Sequence, residues 1–211
     1  MNLIRRPLPF RYYNSVVILI CINVLVFLGE RFLRQWNLVV YFSMIPGLVR
    51  RGWIWQFVTY MFVHDPNSFS HILFNMLALF IFGTAVERRM GSLEFLLYYF
   101  ACGILAGVFS FFSYLLLGAN RVILMGASGA VFAVQLAYAV FFPQAVLYLW
   151  GLLPLRAPVM VIGFTLLELV LMIFGLQGNV AHFTHLAGFA FGWIFFVARY
   201  GINPWKRMRN L

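Results

Sequence analysis

Charge is nearly missing from this chain. Fifteen basic and five acidic side chains are spread over 211 residues, 9% in all, where a soluble globular domain carries about 25%. With 64% of the residues hydrophobic, no soluble fold of this length can hide its apolar surface. The chain therefore reads as an integral membrane protein, in contact with the lipid bilayer. The net charge of +10 does not imply a nucleic-acid partner, because the basic residues gather at the ends of apolar runs, where they set topology. Cys21 and Cys102 both lie inside apolar runs and suggest neither a disulfide nor a metal site.

A bilayer-crossing helix needs about 20 mostly apolar residues. Six runs qualify, over 12–30, 70–87, 93–117, 126–142, 157–176 and 180–199. The breaks between them are plain: Glu87-Arg88-Arg89, then Gly118 to Arg121, then Pro143, then Pro154 to Pro158. The first run has no small-residue cleavage site after it and is expected to stay as a helix. Nothing after it reads as a soluble domain, so residues 1–211 are expected to form one all-α, six-helix membrane domain. The long connection over 31–69 holds Trp36, Trp53 and Trp55, residues that favour the membrane interface. An even number of spans puts both termini on one side. That side carries ten basic residues against five on the other, so both termini are expected in the cytoplasm of a multi-pass inner (plasma) membrane protein.

This topology makes the polar residues informative. Spans two, four and six all start outside and run inward. His71 and Asn75 fall in the first turns of span two, Ser128 starts span four, and His182 and His185 lie near the start of span six. All five share a shallow outer depth, and ionisable residues inside spans are costly and usually functional. Ser128 sits at a helix start, where free N–H groups stabilise negative charge. Gly126 and Gly129 beside it allow tight backbone geometry and close helix approach. His71 and Asn75, four apart, share a helix face. A nucleophile, a base and two side-chain donors are the parts for acyl transfer. Taken singly, each has a blander reading: G-A-S-G is a packing element of membrane helices, and a lone histidine is an interface residue. "GASGA" is not the G-x-S-x-G elbow of soluble hydrolases, since Ala130 stands where the second glycine would be. No H-E-x-x-H is present.

As a set, these residues resemble the rhomboid family of intramembrane serine proteases in its minimal six-span bacterial form. "HILFNMLALFIFG" is similar to the family's H-x-x-x-N segment, "GASG" to its G-x-S-G, "HLAGFAFG" to its H-x-x-G-x-x-x-G, and "ERR" at 87–89 to its E-x-R. The resemblance implies a rhomboid bundle with Ser128 as nucleophile and His185 as general base. It implies an oxyanion site made by His71, Asn75 and the Ser128 N–H, and a structural role for Glu87 and Arg89. It implies cleavage of single-span transmembrane protein substrates near the outer membrane face, with no cofactor and no metal. His64 matches a recurrent histidine before span two. Two positions depart from the family pattern: Gln56 stands where Arg often follows the loop tryptophan, and Phe132 stands where Tyr often stacks on the histidine.

Two competing readings remain at this level. One is a proteolytically inactive relative that only binds membrane helices. The other is a metal site built from His64, His71, His182 and His185. A third catalytic residue is not expected. Glu30 sits in a run with Arg31 and Arg34 that reads as solvated, and Glu168 reads as too deep. Asp65 has the right depth but sits in a turn-like "HDPNSFS". A Ser–His dyad is expected, with His185 oriented by Phe132 and the span-four backbone.

Overall fold

A computed structural model describes residues 5, 6, 8–149, 152–174 and 180–209. The apolar runs form helices, and charge, glycine or proline ends them. Helix α1 is Ser15–Phe32. Helix α2 is Phe69–Met90, continuous through a wide π turn at Leu79–Gly83. It stops at Gly91, whose φ of +85° a side chain would disfavour. Helix α3, Ser92–Leu116, follows at once. Helix α4 is Ser128–Phe141. Strands β1 (Val146–Leu149) and β2 (Leu153–Arg156) pair antiparallel, with Val146 opposite Arg156. Helix α5, Ala157–Ile173, starts with a proline in its first turn, where the missing N–H is harmless. Helix α6, Val180–Phe195, runs on through a π turn at Phe196–Tyr200, and α7 is Pro204–Arg209. The expected end of the fifth run at 176 lies outside the described residues.

The molecule is a polytopic helical membrane bundle. Three helices, α1 to α3, are long and apolar enough to cross a bilayer, while α4 and α5 are apolar but shorter. Large apolar side chains face outward, such as Leu25 at 68% and Leu116 at 89% exposed. Such a surface suits lipid and not water. Helix α4 is the opposite case. Along it, Ala130, Ala133, Val134, Ala137 and Val140 are all buried, and it packs against α3, α5 and α6. A helix apolar all round belongs in the centre of a bundle. Its 14 residues span about 21 Å, some 9 Å short of a ~30 Å hydrocarbon layer. Helix α4 is therefore too short to cross such a layer alone.

The 31–69 connection folds into short helical turns at Leu38–Phe42, Pro46–Val49 and Gln56–Thr59. Gln56 is fully buried. Its Oε1 accepts from the Ile45 N–H at 3.0 Å, and its Nε2 donates to the carbonyls of Val40 (3.0 Å) and Tyr41 (3.3 Å). A neutral amide thus pins this loop from inside. Met44 then pairs with Leu124 through two backbone hydrogen bonds of 2.9 Å, tying the loop to the segment that leads into α4.

Two buried acids shape this end of the bundle and its opposite. The run with Arg31 and Arg34 suggests a solvated Glu30, yet Glu30 is 2% exposed and its Oε2 accepts the His64 N–H at 3.1 Å. The arginines alone reach outward, Arg31 donating to the Pro66 carbonyl and Arg34 to Asn67 Oδ1. Glu87, also buried, accepts the N–H groups of Ser15 (2.6 Å) and Val16 (3.0 Å) and the Ser92 hydroxyl. It caps the otherwise unpaired start of α1. Arg89 lies 6.0 Å from the Phe141 ring centre.

Candidate active site

Two glycines bring the site together. Gly126, at φ +117°, holds a conformation that side chains avoid, and its N–H donates to the Tyr60 carbonyl at 2.9 Å. A Cβ there would also stand 2.9 Å from His71 Nε2 and 3.7 Å from Ser128 Oγ. The bare backbone lets the His71 ring and the serine share one corner. Gly188 acts between helices: a Cβ on it would collide with the Gly129 carbonyl oxygen. Helices α4 and α6 thus touch backbone to backbone, which sets the register of His185 over Ser128.

In that register His185 Nε2 lies 2.8 Å from Ser128 Oγ. The His185 ring stacks on Phe132, with centroids 4.4 Å apart and planes within 9°. Phenylalanine thus supplies the stacking face without a hydroxyl. Ser128 is the first residue of α4, so its N–H has no acceptor within the helix.

His71 lies on α2, and the N–H of Asp65, ahead of that helix, points to its Nδ1 at 3.4 Å. With Nδ1 accepting, the ring proton is assigned to Nε2, on the Gly126 and Ser128 side. Asn75 donates one amide hydrogen back to the His71 carbonyl at 2.8 Å, and its second amide hydrogen is a further donor. His64 is fully buried, with its ring centre 5.1 Å from that of His71. Burial first, and His71 second, push the His64 pKa down to about 4, so its ring is neutral at physiological pH. A cleft of about 720 Å³ opens over this corner, lined by His71, Asn75, Ser128, Phe132, Glu168 and His185 among others.

Glu168 is not too deep to reach His185. Its Oε1 is 3.0 Å from His185 Nδ1, and its Oε2 is 2.5 Å from His182 Nδ1. The His185 separation is that of a hydrogen bond, but the oxygen stands off the N–H axis, and among the described residues Nδ1 makes no in-line bond. Helix offsets explain the correction. Glu168 lies five residues before the end of α5, and His185 five residues after the start of α6. At about 1.5 Å per residue both are ~7.5 Å in from adjoining helix ends, so the glutamate is level with the histidine. The reading of Glu168 as too deep therefore does not hold: an acid stands within reach of His185. The signal for it in the sequence is the distance of Glu168 from the end of its helix, not its place in the middle of the run. Asp65, by contrast, turns its carboxylate to the Asn67 N–H at 2.9 Å.

The four histidines of the metal reading do not come together as one set. Among the described residues, the group able to hold a cation is Glu168, His182 and His185, with ligand atoms within 4.8 Å of one another. A cation there would occupy the His185 Nδ1 lone pair and leave the proton on Nε2. The ring could then no longer accept a proton from Ser128.

Comparison with known proteins adds a second line of observation. A family model described as the Rhomboid domain matches residues 51–201. The chain is 29% identical over 148 residues to the putative rhomboid protease YdcA of Bacillus subtilis, covering 70% of this chain and 68% of that protein. It is 28% identical over 192 residues to the rhomboid protease AarA of Providencia stuartii, covering 84% and 67%. With the rhomboid protease GlpG of Haemophilus influenzae it shares 28% identity over 181 residues, covering 84% and 88%.

Proposed function

The chain belongs to the rhomboid family, and from that premise we propose that it is an intramembrane serine endopeptidase that cuts single-span membrane proteins near the outer face. The observation that carries this reading is the 2.8 Å contact between Ser128 Oγ and His185 Nε2 at the floor of an open cleft. Ser128 Oγ attacks a substrate carbonyl carbon as its proton passes to His185 Nε2. The developing oxyanion faces the Ser128 N–H, His71 Nε2–H and the spare amide hydrogen of Asn75. His185 then gives its Nε2 proton to the leaving amine, and a water repeats the sequence on the acyl-enzyme.

The substrate must reach this corner from the bilayer. Phe74 and Phe82 on α2 and Phe164 on α5 line a second cleft of about 490 Å³ between those helices, which suits lateral entry of a helix. A helical substrate carbonyl is already hydrogen-bonded, so segments with glycine or proline, which unwind at lower cost, should be cut in preference. Both termini lie in the cytoplasm on this reading, and the membrane is the inner (plasma) membrane.

A fluorophosphonate probe applied to the purified protein in lipid should modify Ser128, as mapped by peptide mass analysis. An unmodified Ser128, together with no cleavage of any single-span reporter, would leave the alternative of an inactive helix-binding relative. Reporter fusions at Arg89 and at the C-terminus should both report cytoplasm; a split result would break the topology and the common depth.

A further inference from the structure

Glu168 needs an explanation that packing does not supply. It is a carboxylate 8% exposed on a helix with no other charged residue. Burying such a group costs several kcal/mol unless it is matched by partners. An apolar residue would serve the bundle better. What the carboxylate does have is one histidine nitrogen on each oxygen, His185 Nδ1 at 3.0 Å and His182 Nδ1 at 2.5 Å. His182 and His185 are three apart on α6 and share a face, so His182 fixes the rotation of the carboxylate that His185 meets.

Resting on the serine protease reading above, we propose that Glu168 is a positioning residue that completes a Ser128–His185–Glu168 relay. The base works in one tautomer alone. Nε2 must be bare to accept from Ser128, so the proton must sit on Nδ1, which is buried and, among the described residues, has no acceptor but the carboxylate beside it. Glu168 therefore selects the productive tautomer. When Ser128 attacks, the Oγ–H bond breaks as the Oγ–carbon bond forms, and the proton moves to Nε2. The imidazolium then keeps its Nδ1–H toward Glu168, which stays ionised throughout. The off-axis approach in the resting protein leaves room for the contact to straighten as positive charge develops, since such bonds tighten toward the transition state.

The test is a kinetic series in lipid vesicles with a single-span substrate, using Glu168→Gln and Glu168→Asp. Glu168→Gln should lower kcat by about 10²–10⁴-fold, the range set by general-base catalysis and by loss of a triad acid, with KM close to wild type. Glu168→Asp, which keeps the charge, should recover part of that loss. A structural role alone would instead change yield and melting temperature and leave the kcat of folded protein intact. A fall in kcat of less than about tenfold for folded Glu168→Gln would overturn the relay. So would nitrogen-15 NMR of histidine-labelled wild type showing His185 protonated on Nε2 and bare on Nδ1, a measurement that stands even when no variant folds. Failure of the protease reading looks different: wild type itself would then neither take the fluorophosphonate at Ser128 nor cleave, which removes both.

Discussion

Glu87 and Glu168 are both carboxylates buried in the helix bundle, and they are used in opposite ways. Glu87 is fully buried and matched on both oxygens: two backbone N–H groups and a hydroxyl converge on it. Those bonds hold the start of α1 against the α2–α3 corner. Glu168 faces a cleft of about 720 Å³ and meets two histidines, one of them at a bent angle. A buried charge held by in-line donors on both oxygens and shut off from open space is a structural clamp, whereas one engaged off-axis beside a cleft has capacity to respond when charge appears next to it. The same contrast separates Glu94, held by two bonds from Arg199 at 2.7 and 2.9 Å, from the polar groups around Ser128.

The contrast can be broken by substitution at either end. The largest effect is expected at Ser128 and His185. Ser128→Ala or His185→Ala should remove cleavage by about 10⁶-fold, the scale of such losses in serine proteases, with the melting temperature nearly unchanged. Retained cleavage in either variant would place the chemistry elsewhere. Next come His71→Ala and Asn75→Ala, each expected to lower kcat by about 10²–10³-fold, as for loss of one oxyanion donor. Losses that appear in KM alone would reassign them to substrate binding.

At the clamp, Glu87→Ala should act on stability and not on chemistry. It strands two buried N–H groups, at about 1–3 kcal/mol each. Thermal unfolding in detergent should shift down, while turnover per fluorophosphonate-titrated site stays at the wild-type value. A changed turnover per site would show that the two regions are not separable. The smallest effects are expected flanking the site. His182→Ala removes one of the two anchors on Glu168 and should slow cleavage by less than about tenfold. Asp65→Asn keeps both the N–H toward His71 and an acceptor for Asn67, and should cleave at the wild-type rate. A larger loss for Asp65→Asn than for His182→Ala would invert the assignment of which acid supports the base.

Local spacing alone makes much of this molecule readable. Helix starts and stops follow from charge, glycine and proline, and the observed ends differ from the expected ones by no more than about three residues within the described residues, in keeping with the usual uncertainty of such boundaries. His71 with Asn75, and the glycines that register His185, are intervals within one helix, where 3.6-residue periodicity carries the geometry. The β1–β2 pair is not legible in the same way, because its strands are apolar without alternation, and period is what distinguishes strand from helix. Gln56 is legible as a departure from a family pattern, but not as an amide satisfied by three backbone groups.

By itself the sequence determined the membrane class, the apolar helices and the candidates Ser128, His185, His71 and Asn75, because composition and intrahelical spacing are properties of neighbouring residues. Only the tertiary structure decided that Glu168 lies against His185, that Glu30 turns inward to His64, and that Gln56 ties down the loop. Each of these depends on how one helix or loop is rotated and offset against another. That offset is set by contacts such as Gly188 on the Gly129 carbonyl, between residues far apart in the chain, and no periodicity within either segment encodes it.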